Sequence, residues 1–343
     1  MPTLHAVLPD AVHDPARPSG GNTYDRRVLA GLADLGWTVR EQLVAGRWPE
    51  PDAVGRRSLA DAVGRVGAGA PVLVDGLLAS RSPDVLVPLA RRVPLVVLVH
   101  LPLGGEPERA VLAATAAVVT TSAWSRDRVV ALHGLDPARV HIAEPGTDSA
   151  PLAVGSPGGG SLLCAGAVTP LKGLDVLADA LATLTDLPWR CVVAGSLEVD
   201  APFAAGVVER TRRAGVADRV TFAGPLTADA LGAAYATADL LVAPSRSETF
   251  GMAVADALAR GLPVVASDVG GLPQTVRGAG GPAPGLLVPA GDPAALAGAL
   301  RAWLTDPGLR GRLRTGAVAR RETLAPWSET ARQVAAVLGT LCP

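Results

Sequence analysis

Apolar residues in this chain fall into short unbroken runs, separated by stretches where they recur every three or four positions. Ala6–Leu8, Val72–Val74, Leu95–Val99, Ala117–Thr121, Ser161–Ala165, Cys191–Gly195, Val220–Ala223, Leu240–Ala243 and Pro263–Ala266 are the runs. They do not alternate with polar residues, which is the pattern of parallel strands buried on both faces. Between them, Tyr24 to Leu35 carries Val28, Leu29, Leu32 and Leu35 at helical spacing and stops at Gly36. Further helices are predicted over 123–133, 174–184, 228–237 and 327–338. Pro18-Ser19-Gly20-Gly21-Asn22 breaks the first strand–helix passage, and the Pro-, Gly- and Ser-rich stretch Pro145–Gly160 reads as a linker. Strands alternate with helices on both sides of that linker, which predicts an α/β protein of two doubly wound, Rossmann-like domains. The expected boundaries are 1–150 and 151–324, with about 325–343 returning to the first domain as a C-terminal helix.

Length agrees: 343 residues is an ordinary size for two domains. No apolar run reaches the roughly 18–20 residues of a membrane span, and the N-terminus lacks the basic start and apolar run of a secretory signal. A net charge of −1 argues against a nucleic-acid protein. Cys164, Cys191 and Cys342 have neither disulfide-framework nor CxxC spacing, so a reducing cytoplasm is the expected compartment. His5, His13, His133 and His141 show no metal-ligand spacing, and Trp37, Trp48, Trp189 and Trp303 read as packing residues.

The chemistry is concentrated in 244–271. A polar loop with Glu248 meets Thr249-Phe250-Gly251-Met252 at the start of a helix that also carries Asp256, followed by a strand and Gly270-Gly271. Helix starts present unpaired N–H groups with partial positive charge, and a glycine lets an anion approach them. Two carboxylates eight positions apart, up to roughly 12 Å along a helix, do not share a proton but can grip opposite ends of one ligand. Lys172, in a Gly-flanked loop, is the only lysine among 31 basic residues, which points to a place where a compact ammonium is needed, as on a phosphate. His100 ends the strand Leu95–Val99, where side chains of a parallel sheet meet ligands. Gly20 and Gly21 would let backbone come close to a bound group.

These blocks together resemble glycosyltransferase family 4: Pro244-Ser245 through Glu248, Phe250-Gly251, Pro263–Ala266 with Gly270-Gly271, Ser19-Gly20-Gly21, Thr120-Thr121-Ser122 with Glu144–Asp148, Gly166–Gly173, Phe222-Ala223-Gly224 and Leu286–Asp292. The matches run in order from about residue 19 to 330. The resemblance implies a GT-B fold, with two Rossmann-like domains facing across a cleft, and retaining, metal-independent transfer from a nucleotide diphosphate sugar. No metal or other cofactor is implied. Glu248 would take the donor sugar's hydroxyls, Asp256 the ribose, Lys172 the diphosphate, and His100 the sugar near the reacting carbon. Gly20, Gly21, Gly166, Gly224, Thr249, Phe250, Gly251 and Met252 would complete the donor site. Two positions depart from the family pattern: Asp256 replaces the usual glutamate, and Ala167 stands where an arginine is usual, leaving the diphosphate to Lys172, the helix start or an arginine from elsewhere.

The base would be chosen by loops around Ser196-Leu197 and Gly224-Pro225-Leu226. Residues 40–70 carry no long basic amphipathic helix, which favours a small soluble acceptor over a membrane lipid. A nucleotide-sugar epimerase on the same architecture, needing no acceptor, and a nucleotide-sugar binding protein with weakened catalysis are the alternatives. A dehydrogenase is disfavoured because no G-x-G-x-x-G follows the first strand. Oligomeric state is not legible.

Overall fold

A computed structural model describes residues 1–14, 18–67, 69–278 and 280–341; Cys342 lies outside them. The chain divides into two compact units, 1–146 with 325–343, and 147–324. The first contains β1 (Thr3–Pro9), α1 (Gly20–Asp34), β2 (Thr38–Val44), α2 (Ala53–Gly64), β3 (Val72–Asp75), α3 (Gly76–Ala79), α4 (Pro83–Ala90), β4 (Leu95–Val99), α5 (Glu106–Ala114), β5 (Ala117–Thr120), α6 (Ala123–His133) and β6 (Val140–Ile142). The second contains β7 (Ser161–Ala165), α7 (Leu174–Ala182), β8 (Arg190–Ala194), α8 (Ala201–Arg213), β9 (Val220–Gly224), α9 (Ala228–Thr237), β10 (Leu240–Ala243), α10 (Met252–Leu258), β11 (Val264–Ser267), α11 (Leu272–Arg277), β12 (Gly285–Val288), α12 (Pro293–Thr305) and α13 (Pro307–Arg321). The last helix, α14 (Trp327–Gly339), belongs to the first unit.

Each unit is built on one six-stranded sheet, in the orders β2-β1-β3-β4-β5-β6 and β12-β11-β10-β7-β8-β9, with parallel pairing throughout. Chain order reverses direction across the sheet at β1/β3 in the first unit and at β7/β10 in the second. Such reversals open a crevice beyond the strand ends, where ligands bind.

The inner strands are apolar because helices cover both faces: β3, β4, β5 and β11 are buried at every position. In the first unit one core cluster joins Leu4, Ala6 and Leu8 of β1 to Tyr24, Val28 and Leu32 of α1 and Val334 and Leu338 of α14. Gly31 permits that packing, since any Cβ there would lie 2.5 Å from the Ala331 methyl. Thr330 also caps the Glu144 carbonyl at 2.7 Å. Trp37, Trp189 and Trp303 are buried, and Cys164 and Cys191 are buried free thiols. Among the described residues no helix is long and apolar enough to cross a membrane.

Candidate active site

In the second unit the reversal point is furnished by the loops after β7 and β10. The first runs Gly166 to Gly173, where a tight turn at Pro170–Lys172 is closed by Gly173 at φ +67°. A side chain at Gly173 would overlap the Pro244 carbonyl, so glycine is what lets the two loops touch. They are then bolted together. The Arg246 amide donates to the Leu171 carbonyl at 2.8 Å, and its guanidinium spans Asp175 with two bonds of 2.7 Å while also reaching the Pro170 carbonyl. The Arg246 partnership pulls the Asp175 carboxyl below its usual range. With the loops fixed, Lys172 Nζ lies 2.5 Å from Glu248 Oε2, the lysine about one-third exposed and the glutamate mostly covered. A small cavity beside them is lined by Gly166, Lys172, Ser245, Glu248, Gly251 and Ala253. A cation suited to phosphate and a carboxylate suited to sugar hydroxyls thus share one place, each neutralising the other.

The surrounding glycines have backbone reasons. A Cβ at Gly270 or Gly271 would overlap the Glu248 or Thr249 carbonyl, and the Gly271 amide donates to the Glu248 carbonyl at 2.9 Å. That amide is therefore committed within the protein, and the Gly-Gly pair fixes the backbone of Glu248. Gly251 caps α10 in the left-handed region, φ +93°. Met252, Ala253 and Val254 open this helix of seven residues. Phe250 is buried and its carbonyl accepts the Thr275 hydroxyl at 2.5 Å. Thr249 and Met252 are half-buried beside it. Asp256 sits half-buried on α10, close enough to raise the Tyr235 hydroxyl's pKa behind the larger effect of burial. Gly224 ends β9 at φ +68°, its carbonyl accepting the Gly195 amide. Arg246, the basic residue nearest in sequence to Glu248, is committed to Asp175.

In the first unit the reversal point lies beside His100, Gly20 and Gly21. Ser19 caps α1, its hydroxyl accepting the Asn22 amide. The helix start passes so close to His100 that a Cβ on Gly21 would lie 3.2 Å from the imidazole. Tyr24 meets the ring edge-on, 5.1 Å between centroids, and donates its hydroxyl to the Ala143 carbonyl. His100 Nε2 lies 2.8 Å from Asp25 Oδ1 and 3.9 Å from Asp75 Oδ2. Burial lowers the imidazole's proton affinity, but Asp25, by charge and hydrogen bond, and then Asp75 outweigh it and raise the pKa to about 8. Sequence reasoning passed over both carboxylates, though each left a signal. Asp25 interrupts the buried stripe of α1, and Asp75 directly follows the apolar run Val72–Val74. A second buried histidine–carboxyl contact, His133 Nε2 to Glu108 Oε2 at 3.0 Å, joins α6 to α5.

Residues 159–306 match the family model of the glycosyl transferases group 1. The chain carries a group 1 glycosyl transferase domain. That domain spans β7 to α12 and holds Gly166, Lys172, Gly224, Glu248, Gly251 and Asp256. Among curated relatives, a D-inositol 3-phosphate glycosyltransferase of Catenulispora acidiphila is 36% identical over 251 residues, covering 67% of this chain and 58% of the relative. One from Streptomyces bingchenggensis is 33% identical over 285 residues, covering 72% and 61%. The matches thus span about three-fifths of the relatives' length. Among solved structures, sucrose-phosphate synthase from Thermosynechococcus elongatus superposes with TM-score 0.79 at 23% identity, covering 99% of each chain. Anabaena HepE in complex with UDP-glucose gives 0.77 at 19%, covering 98% of this chain and all of that one. The two parallel six-stranded sheets are those of the GT-B fold. In the group 1 domain, the β7/β10 reversal is where Lys172 and Glu248 meet.

Proposed function

We propose that the chain is a retaining, metal-independent glycosyltransferase that moves a sugar from a nucleotide diphosphate sugar to a small soluble acceptor. The observation that carries this reading is the Lys172–Glu248 pair at the reversal point of the group 1 domain. A diphosphate takes Lys172, freeing Glu248 to accept hydrogen bonds from the sugar's hydroxyls. Lys172 and the open N–H groups at the start of α10 then stabilise the charge that grows on the leaving diphosphate, a preorganised electrostatic role. The acceptor hydroxyl attacks the anomeric carbon on the face the diphosphate leaves, and the departing phosphate takes its proton. The reading calls for no metal ion, since the lysine supplies the cation. Asp256 binds the nucleotide ribose on this reading. The structural neighbour crystallised with UDP-glucose makes UDP-sugars the first donors to try, and the relatives named for D-inositol 3-phosphate favour a small polyol-type acceptor.

A thermal-shift panel of UDP-, GDP-, ADP- and TDP-sugars tests donor binding, because a ligand held only by the folded state raises its stability. With the donor that stabilises most, Glu248→Ala is expected to reduce transfer by at least about 100-fold while remaining folded by circular dichroism. Wild-type turnover in that variant sinks the assignment, and product from donor alone points to an epimerase instead.

A further inference from the structure

The family resemblance gives His100 a task but leaves the two carboxylates beside it without one. Asp25 and Asp75 are 1% and 2% exposed. With His100 they place three ligand-type atoms within 4.8 Å of one another. Asp75 caps α3, its Oδ1 accepting the Leu77 amide at 2.6 Å, which leaves Oδ2 turned toward the cluster. Asp25 Oδ1 is taken by His100, and its Oδ2 is buried with no hydrogen-bond partner. A carboxyl buried as deeply as Asp75 beside a second carboxyl holds its proton, which puts a donor in the cluster with the orphan oxygen of Asp25. The single negative charge then left is balanced by an imidazolium.

The ring has little freedom. Gly21 lies against it, Tyr24 meets it edge-on, and Nε2 is tied to Asp25. Tyr24 and Asp25 from α1 and Asp75 from β3 are the titratable groups facing it among the described residues, and burial followed by the Asp25 charge keeps Tyr24 protonated. Nδ1 has no bonded partner among the described residues, and 15% of the side chain stays exposed. The ring's charge therefore decides what it offers there. A neutral ring that donates Nε2–H to Asp25 presents a lone pair at Nδ1, which is a base; an imidazolium presents an N–H, which is a donor.

We propose that Asp25 and Asp75 are positioning residues whose convergence on the ring holds His100 as an imidazolium whose Nδ1–H donates to a ligand oxygen. His100 is then a charged donor and not the acceptor's base; this role in turnover rests on the transferase reading above. Burial, then the Asp25 charge, raises the Asp75 carboxyl to about 8, and the His100 imidazole is raised to about 8 as well, which agrees with a proton on each at neutral pH.

Histidine-selective 15N labelling of the free protein tests this without any ligand, His100 being assigned by the signal lost in His100→Gln. The expected result is a doubly protonated ring at pH 7 that deprotonates near pH 8, and one that titrates at least about one unit lower in Asp25→Asn. With the donor that the thermal-shift panel selects, Asp25→Asn is expected to lower kcat about 10- to 100-fold with KM changed less than about threefold. The alkaline limb of the kcat profile should move down with the ring. A wild-type ring that is neutral at pH 7 overturns the proposal. So does an unchanged titration in Asp25→Asn, or uptake of added Zn2+ by the cluster in place of the proton. Failure of every donor to support transfer defeats the transferase reading and leaves the titration result standing.

Discussion

Lys172 and Glu248 meet because two loops are tied backbone to backbone, whereas His100, Asp25 and Asp75 meet because two buried carboxyls and a mostly covered imidazole converge at the ends of neighbouring elements. The first pair is partly in water, with side chains 36% and 16% exposed; the second cluster has 15%, 1% and 2%. A partly exposed pair adds about 1 kcal/mol, so a ligand that offers better partners displaces it at little cost. Removing one partner from a buried cluster leaves an uncompensated charge and costs about 3–5 kcal/mol. One is an occupied seat that a ligand takes over; the other is a fixture that sets a ring's orientation and charge.

The largest effect expected from this contrast is on nucleotide binding. Lys172→Met should weaken UDP binding by about 10- to 100-fold, the worth of a charge-assisted hydrogen bond to phosphate. His100→Ala should leave UDP affinity within about twofold while transfer is lost. Titration calorimetry reads both, and equal losses in the two variants would break the comparison.

Next in size is a pH effect confined to the first unit. In the folded state His100 and Asp75 both hold their protons more tightly than in the unfolded chain, with pKa values near 8. Between pH 6.5 and about 8 the native state therefore binds more protons than the unfolded state, and stability falls as pH rises. The His100 share is at most about 2 kcal/mol. Thermal unfolding should show a lower Tm at pH 8.5 than at pH 6.5, and a smaller drop in Asp75→Asn; an equal drop there removes Asp75 from the cluster.

The smallest effect belongs to Arg246→Gln. Its partly exposed bridge to Asp175 should be worth under about 1 kcal/mol, and UDP affinity should stay within about twofold because the guanidinium is already committed. A tenfold loss would mean that Arg246 swings to the diphosphate and fills the role left empty at Ala167.

The same contrast explains what could be read from sequence. The inner strands were legible because burial on both faces leaves unbroken apolar runs. The edge strand β2, Thr-Val-Arg-Glu-Gln-Leu-Val, was not, because it is largely exposed and reads as polar loop. Lys172 and Glu248 stood out because their loops are continuous in sequence and the lysine has no competitor. Gly270-Gly271 stood out in sequence as well, and its reason is the close approach to the Glu248 and Thr249 carbonyls. Asp25 and Asp75 each break an apolar pattern locally, but nothing local says that they meet. Only the pairing of β1 with β3 and of β3 with β4 brings residues 25, 75 and 100 together, and such contacts leave no fixed spacing.

The place of α14 in the first unit's core also sets an order of assembly. Residues 147–324 leave the ribosome with every strand of their own sheet, but β1 and α1 must wait for Val334 and Leu338. At synthesis rates of about 5–20 residues per second, the 193 residues from Gly146 to Gly339 take about 10–40 s. For that interval the apolar faces of Leu4, Leu8 and Leu32 lack their final cover. The nascent first unit therefore carries exposed apolar surface until its last helix arrives.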